Sequence, residues 1–327
     1  MATCRRSYLE MLKFTSASDV LLHLSCVSSL FASLCTCDEL WYALLDLHPS
    51  LPGLTPKQQY RIYAKGYLPV LTATSLLKFH VQASLWQSIP LSEEIAISRQ
   101  ISIVFTIDQL VFVTGAHHPK RDTFSIRPFT GLVKYLSPLL KHRRSMGALR
   151  YGTDVYTFGG ISLGYEVSAE VFMQETQTWR KLKDCSTPRS AFNPAAHKGK
   201  IYLLGGCCTA SNEYFDVFTE TYNPLPLALP GMRCTIALCT GTELIAVQRA
   251  GYYACNVEEI PEKWEITPFD FEFGRAFKSD CTVLSVGDTY YIHQSYGSRI
   301  IALTLTKGTY TEVPTGVLPQ NSPEVAS

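Results

Sequence analysis

The hydrophobic pattern divides the chain near residue 66. Before it, large apolar residues fall at Val20, Leu24, Val27, Phe31 and Leu34, in steps of three and four, with serines on the opposite side. That period predicts one amphipathic helix, capped by Asp19 or Ser18. Asp38-Glu39-Leu40-Trp41 begins a short second element, and His48-Pro49-Ser50-Leu51-Pro52-Gly53 breaks the chain. Thr55-Pro56 has the form of an N-cap followed by proline at the first helical position, and Gly66 stands where that helix ends. Residues 1–66 therefore read as a small helical head.

After Gly66 the helical period is lost. Short apolar runs alternate with glycine and polar turns, and three markers recur in phase. An arginine opens each unit at Arg99, Arg144, Arg189, Arg233 and Arg275, with steps of 45, 45, 44 and 42. A turn between two apolar runs follows at Asp108, Gly152, Gly199, Gly241 and Gly287. The third marker stands four residues before a proline or its equivalent, at Trp86, Lys134, Trp179, Tyr222, Trp264 and Tyr310, with steps of 42–48. Within a unit the pattern is strand, tight turn, strand, loop, strand, strand. One unit shows it in full: a strand at Ala191–His197, a turn at Lys198-Gly199-Lys200, and an apolar run Ile201–Leu204 closed by Gly205-Gly206. Tyr214–Thr219 and the segment around Tyr222 complete that unit. Repeats of this length, with four short strands each, predict the blades of a β-propeller.

The markers have physical reasons. The run before Gly-Gly is apolar throughout because neighbouring blades cover both its faces. Glycine after it permits a sharp turn with positive φ. A Trp or Tyr on the outer strand fills the wedge that widens away from the axis. Six outer-strand markers against five opening arginines predict six blades. The first is incomplete, with strands near Leu68–Thr72, Leu76–Val81 and Leu85–Ser88. The expected organisation is a helical head over 1–66, a mainly β propeller over 67–316 and a tail over 317–327.

Composition narrows the function. The 327 residues carry 29 Lys and Arg against 28 Asp and Glu, a net charge of +1, which argues against a nucleic-acid partner held by bulk electrostatics. The 18 residues from Val20 to Cys37 lack charge, but their serine face marks a helix of a soluble fold rather than a membrane span or a signal peptide. The 11 cysteines are an odd number, form no Cys-x-x-Cys pair, and read as buried thiols of a reducing compartment. His117-His118 lacks an adjacent Asp, Glu or Cys and reads as a solvated loop, so no metal is expected. Lys141-His142-Arg143-Arg144 with Arg150 is a basic cluster in which the repeat arginine Arg144 hydrogen-bonds within its blade and the remaining charges could form a face for an acidic partner. No phosphate-binding glycine loop, nucleophile elbow or paired-carboxylate pattern occurs, so neither catalytic residues nor a cofactor are expected.

Leu-Leu-Gly-Gly at 203–206, Thr-Phe-Gly-Gly at 157–160, Tyr156 and Tyr202, the opening arginines and the later Trp179 and Trp264 together resemble the Kelch repeat. The resemblance covers about residues 67–316. It implies a six-bladed propeller in which Arg99, Arg144, Arg189, Arg233, Arg275, Gly159, Gly160, Gly205, Gly206, Trp86, Trp179 and Trp264 are structural. Unit one has only Thr114-Gly115, and units four and five have Val247-Gln248 and His293-Gln294 in place of the double glycine. In the head, Val27, Phe31 and Trp41 fall at the distances of an F-box, with Glu10-Met11-Leu12-Lys13-Phe14 and Asp19 upstream. The family's opening Leu-Pro-x-Glu segment is missing, so the F-box-like segment reads as truncated. An F-box beside a Kelch propeller resembles the substrate-recognition subunits of cullin–RING ubiquitin ligases. The resemblance implies that Met11, Leu12, Phe14, Leu21 and Leu24 dock a Skp-type adaptor, that the propeller rim holds a protein substrate, and that the protein is cytoplasmic or nuclear. The alternative is a Kelch scaffold with no ubiquitin-ligase role.

Overall fold

The computed structural model describes residues 67–313, apart from 82–83, 96–101, 106–110, 115–120, 129, 226–228, 230–234, 240–242, 249–250, 258–265, 269–280, 287–288, 295–299 and 305–308. Every regular element among them is a strand, and the strands form six sheets in a propeller arrangement. The first sheet has three strands, β1 (Leu68–Leu71), β2 (Ser75–His80) and β3 (Leu85–Pro90). The second comprises β4 (Ser102–Phe105), β5 (Val111–Thr114), β6 (Thr123–Ile126) and β7 (Val133–Leu136). The third comprises β8 (Gly147–Tyr151), β9 (Asp154–Phe158), β10 (Ala169–Met173) and β11 (Thr178–Lys181). A two-residue strand β12 (Phe192–Asn193) precedes the fourth sheet, which is β13 (Ala195–His197), β14 (Lys200–Leu204), β15 (Asn212–Asp216) and β16 (Thr221–Pro224). The fifth holds β17 (Thr235–Cys239), β18 (Glu243–Gln248), β19 (Gly251–Asn256) and β20 (Ile266–Pro268). The sixth holds β21 (Cys281–Val286), β22 (Thr289–Gln294), β23 (Ile300–Thr304) and β24 (Thr309–Val313).

Apart from the parallel β12–β17 pair, each sheet is an antiparallel meander of strands consecutive in the chain. The stretch Ala191–His197, expected as one strand, is two. Pro194 lies between them and has no N–H to continue a ladder. Before it, β12 pairs in parallel with β17 of the fifth sheet; after it, β13 pairs with β14. The fourth sheet is thereby tied to its successor through backbone hydrogen bonds.

One register recurs in five sheets. An aromatic residue of the outer strand stands opposite a Phe or Leu of the strand inside it: Trp86 with Phe79, Tyr135 with Phe124, Trp179 with Phe172, Tyr222 with Phe215 and Tyr310 with Leu303. The expected marker Lys134 is one residue off: the proline spacing follows the loop, whereas the register places Tyr135 there. Phe172 and Trp179 meet edge-on with ring centroids 5.4 Å apart, and Phe215 and Tyr222 lie 5.0 Å apart. Such contacts fill space between sheets with large apolar area.

The core lies between sheets. Tyr67, Leu76 and Ile89 of the first pack on Phe124, Ile126 and Val133 of the second. Val104 and Leu139 join Val155, Phe172 and Trp179. Phe158 and Val171 of the third meet Ile201, Leu203 and Phe215 of the fourth. Tyr202 and Leu204 meet Leu244 and Ala246 of the fifth, whose other face, with Ile245 and Val247, packs on Tyr290, Ile292 and Leu303 of the sixth. Leu68, Phe79 and Val81 of the first sheet then share a core with Ile300 of the sixth. The apolar strand runs read from the sequence are therefore covered on both faces.

Candidate functional site

The loops that join β9 to β10 and β14 to β15 leave the same end of their sheets as the connections into β8 and β13, because successive strands alternate in direction. Two buried arginines fix this end. Arg189 reaches back from the segment before β12. Its Nη1 donates to the carbonyls of Leu203 at 3.1 Å and Gly205 at 3.0 Å, and its Nη2 pairs with Glu213 at 2.8 Å. Arg143 repeats the arrangement in the third sheet. It donates to the carbonyls of Gly159 at 2.8 Å and Ser168 at 2.7 Å and to Thr157 Oγ1, and it pairs with Glu170 at 3.0 Å. Both pairs are closed off from solvent. Burial draws the Arg143 guanidinium below its ordinary value, and Glu170 opposes that shift. Each glutamate also accepts backbone N–H groups of the incoming loop, from Leu140 and Lys141 at Glu170 and from Ser186 at Glu213. The clamps join strand ends to loops and expose no reactive group.

The repeat arginine of the third sheet is Arg143, not Arg144 as expected from spacing. Arg144 is exposed and makes a backbone bridge to Ile161 instead. A residue-long ambiguity in an Arg-Arg dipeptide cannot be resolved by a period that itself varies. The partner glutamates were not singled out from the sequence, although both stand two residues before the inward Phe of their strand, Phe172 and Phe215.

The double glycines sit where the backbone must approach closely. Gly159, Gly160, Gly205 and Gly206 all have positive φ, from 56° to 129°. A Cβ on Gly159 would fall 2.1 Å from the Arg189 carbonyl oxygen, which accepts the Gly160 N–H at 2.8 Å. Glycine there serves both the turn and the passage of the next arginine loop. Trp179 is buried and donates from its indole N–H to the Ser137 carbonyl at 2.9 Å, linking the third sheet to the segment after the second; Trp86 is half-buried beside Phe79. Arg99, Arg233, Arg275 and Trp264 lie outside the described residues, as do His117-His118 and the adaptor-docking set Met11, Leu12, Phe14, Leu21 and Leu24.

The basic cluster is divided. Lys141 pairs with Glu166, Arg143 is buried in its clamp, Arg144 remains exposed at the loop end, and Arg150 lies near the opposite end of β8. Cys185 and Cys255 are buried thiols, each pushed up to about 11 by desolvation, whereas Cys207, on the loop after Gly206, is exposed, against the expectation of burial. Among the described residues no group of three or more His, Cys, Asp or Glu converges to hold a metal ion, and no helix is long and apolar enough to cross a membrane.

Comparison with known proteins places these clamps in context. No family model matches the sequence. Among curated proteins the chain is 29% identical to an F-box/kelch-repeat protein of Arabidopsis thaliana over 178 residues, 50% of this chain and 43% of the relative. A second F-box/kelch-repeat protein of that plant is 30% identical over 128 residues, 35% of this chain and 31% of the relative. A third, described as putative, is 31% identical over 88 residues, 25% of this chain and 24% of the relative. The chain is thus similar, over parts of its length, to F-box/kelch-repeat proteins. The matches span less than half the length of each of these relatives. Within the propeller, the buried Arg143–Glu170 and Arg189–Glu213 pairs are engaged in structural clamps.

Proposed function

We propose that the protein is a substrate-recognition subunit of a cullin–RING ubiquitin ligase, with no catalytic residues of its own. In this reading residues 1–66 form a helical, F-box-like head that docks a Skp-type adaptor through Met11, Leu12, Phe14, Leu21 and Leu24. The body is a closed six-bladed propeller that presents a protein substrate at its loop end, in the cytoplasm or nucleus. The observation that carries the reading is the combination of F-box/kelch-repeat relatives with Arg–Glu clamps that stiffen one loop end of the propeller. Six sheets, with a core cluster shared by first and sixth, support the closed ring. A rigid rim of loops on a packed scaffold is the physical requirement for a recognition surface.

The test is retention of purified Skp-type adaptor on the immobilised full chain. The reading predicts saturable retention that Leu24→Asp abolishes while the far-ultraviolet circular dichroism of the chain is unchanged. No retention by the unaltered chain, or retention indifferent to Leu24→Asp, overturns the ligase role and leaves the interaction scaffold.

A further inference from the structure

The loop between β9 and β10 builds a small projecting ladder at the clamped end. Arg144 and Ile161 exchange two backbone hydrogen bonds, at 3.0 and 2.8 Å, and Ile161 is bridged in turn to Tyr165. Residues bridged in antiparallel register project to the same side, so Arg144, Ile161 and Tyr165 form a row. Ser162 N–H donates to the Gly164 carbonyl at 2.9 Å and Glu166 N–H to the Gly160 carbonyl at 2.9 Å, which holds the tip closed. At that tip Leu163 is 100% exposed, and Tyr165 is 56% exposed. Leu140, on the loop alongside, is also exposed. An ordered loop that offers a leucine wholly to water gains nothing from it in the isolated fold.

The charges around this row are unequal. Glu166 is taken up by Lys141, and Glu170 is buried against Arg143. Arg144, by contrast, has no carboxylate partner among the described residues and stands exposed at one end of the row. The Tyr165 hydroxyl offers a donor at the other end. The surface thus presents an apolar centre between a guanidinium and a phenol.

From this arrangement we infer that the 161–165 loop with Arg144 is a docking site for an acidic peptide segment of a partner protein, one with an apolar side chain flanked by carboxylates. The apolar side chain covers Leu163 and Ile161, and the carboxylates meet Arg144 and Tyr165. The inference rests on the reading that the clamped loop end binds a protein, and it names the chemistry of that partner.

The experiment selects a random 12-residue peptide library displayed on phage against the immobilised full chain, then measures one selected peptide, synthesised, by fluorescence anisotropy. The expected result is a consensus of Asp or Glu around Leu, Ile or Phe. Leu163→Asp and Arg144→Glu should each weaken that peptide about tenfold or more. Phe218→Asp, at an exposed position on the opposite end of the fourth sheet, should leave it unchanged. Leu163→Ser, which removes the apolar tip without adding charge, should weaken it less than Leu163→Asp. A basic or uncharged consensus, failure to select any peptide, or binding indifferent to both substitutions overturns the inference. So does concentration-dependent self-association that Leu163→Asp abolishes, which would make the occupant a second copy. Adaptor retention without acidic-peptide binding sinks this inference alone; peptide binding without adaptor retention sinks the ligase role alone.

Discussion

The third and fourth sheets and the first sheet solve the same packing problem with different chemistry. Two residues before the inward Phe, the third and fourth sheets carry Glu170 and Glu213, each paired with a buried arginine. At the corresponding place before Phe79 the first sheet carries Leu77, which is simply buried. The aromatic register holds in all three. The apolar pairs therefore set the sheets and their packing, while the arginine–glutamate pairs are additions that fix loops. That division agrees with the general weakness of buried ion pairs as net stabilisers relative to apolar groups of similar size.

The comparison can be broken first at the clamp. Arg189→Met leaves Glu213 buried without its counter-ion and strips the Leu203 and Gly205 carbonyls of a donor, so it should cost about 3–5 kcal/mol. Adding Glu213→Leu, which imitates Leu77, should restore most of that loss while the loop after Gly206 becomes more exposed to proteolysis. Urea unfolding of the single and double variants checks it; a double variant no more stable than the single one would show that the pair carries the fold itself.

A smaller effect separates backbone strain from close approach. Gly152 and Gly159 share a φ of 63°, but a Cβ on Gly152 meets nothing within 4 Å, whereas one on Gly159 meets the Arg189 carbonyl at 2.1 Å. Gly152→Ala should cost about 1 kcal/mol, the left-handed penalty alone. Gly159→Ala should cost more, about 2–3 kcal/mol, through displacement of the arginine loop. Equal losses in thermal unfolding would remove the argument that the double glycine serves the clamp.

The first sheet carries its own polar burden. Lys78 is fully buried, with its ammonium 5.0 Å from the centroid of the Tyr67 ring, and desolvation lowers its pKa to about 7. His80, hydrogen-bonded through Nε2 to Gln87 at 3.1 Å, is lowered to about 4, first by burial. Between pH 7 and about 10.5 the unfolded chain holds the Lys78 proton and the folded chain does not, so stability rises with pH across that window. Between about 6.5 and 4 the unfolded chain protonates His80 first, so stability falls as pH falls. Lys78→Met should raise the melting temperature at pH 7 by a few degrees and flatten the alkaline rise. A lowered melting temperature would show that the ammonium is stabilising where it lies.

The period, the strands and their burial were legible in the sequence because apolar runs and glycine turns act locally. Gly159-Gly160 and Gly205-Gly206 could be placed because only a positive φ explains them beside an apolar strand. The choice between Arg143 and Arg144 was not legible, since it depends on which side chain can reach Gly159 and Ser168 across the sheet. The split at Pro194 was also hidden: it depends on β17, a strand more than forty residues later, offering an edge to Phe192 and Asn193. The exposed row at Arg144, Ile161 and Tyr165 is built from bridges between separate loops, and no single stretch of sequence carries it.

Native-state hydrogen exchange tests the closed ring most directly. In a closed ring the central strands of the first, fourth and sixth sheets, β2, β14 and β22, should exchange through one common opening, and Ile300→Ala, at the junction of the sixth sheet with the first, should accelerate all three equally. If the ring is open, β2 and β22 exchange faster than β14, and Ile300→Ala accelerates β22 while leaving β14 untouched.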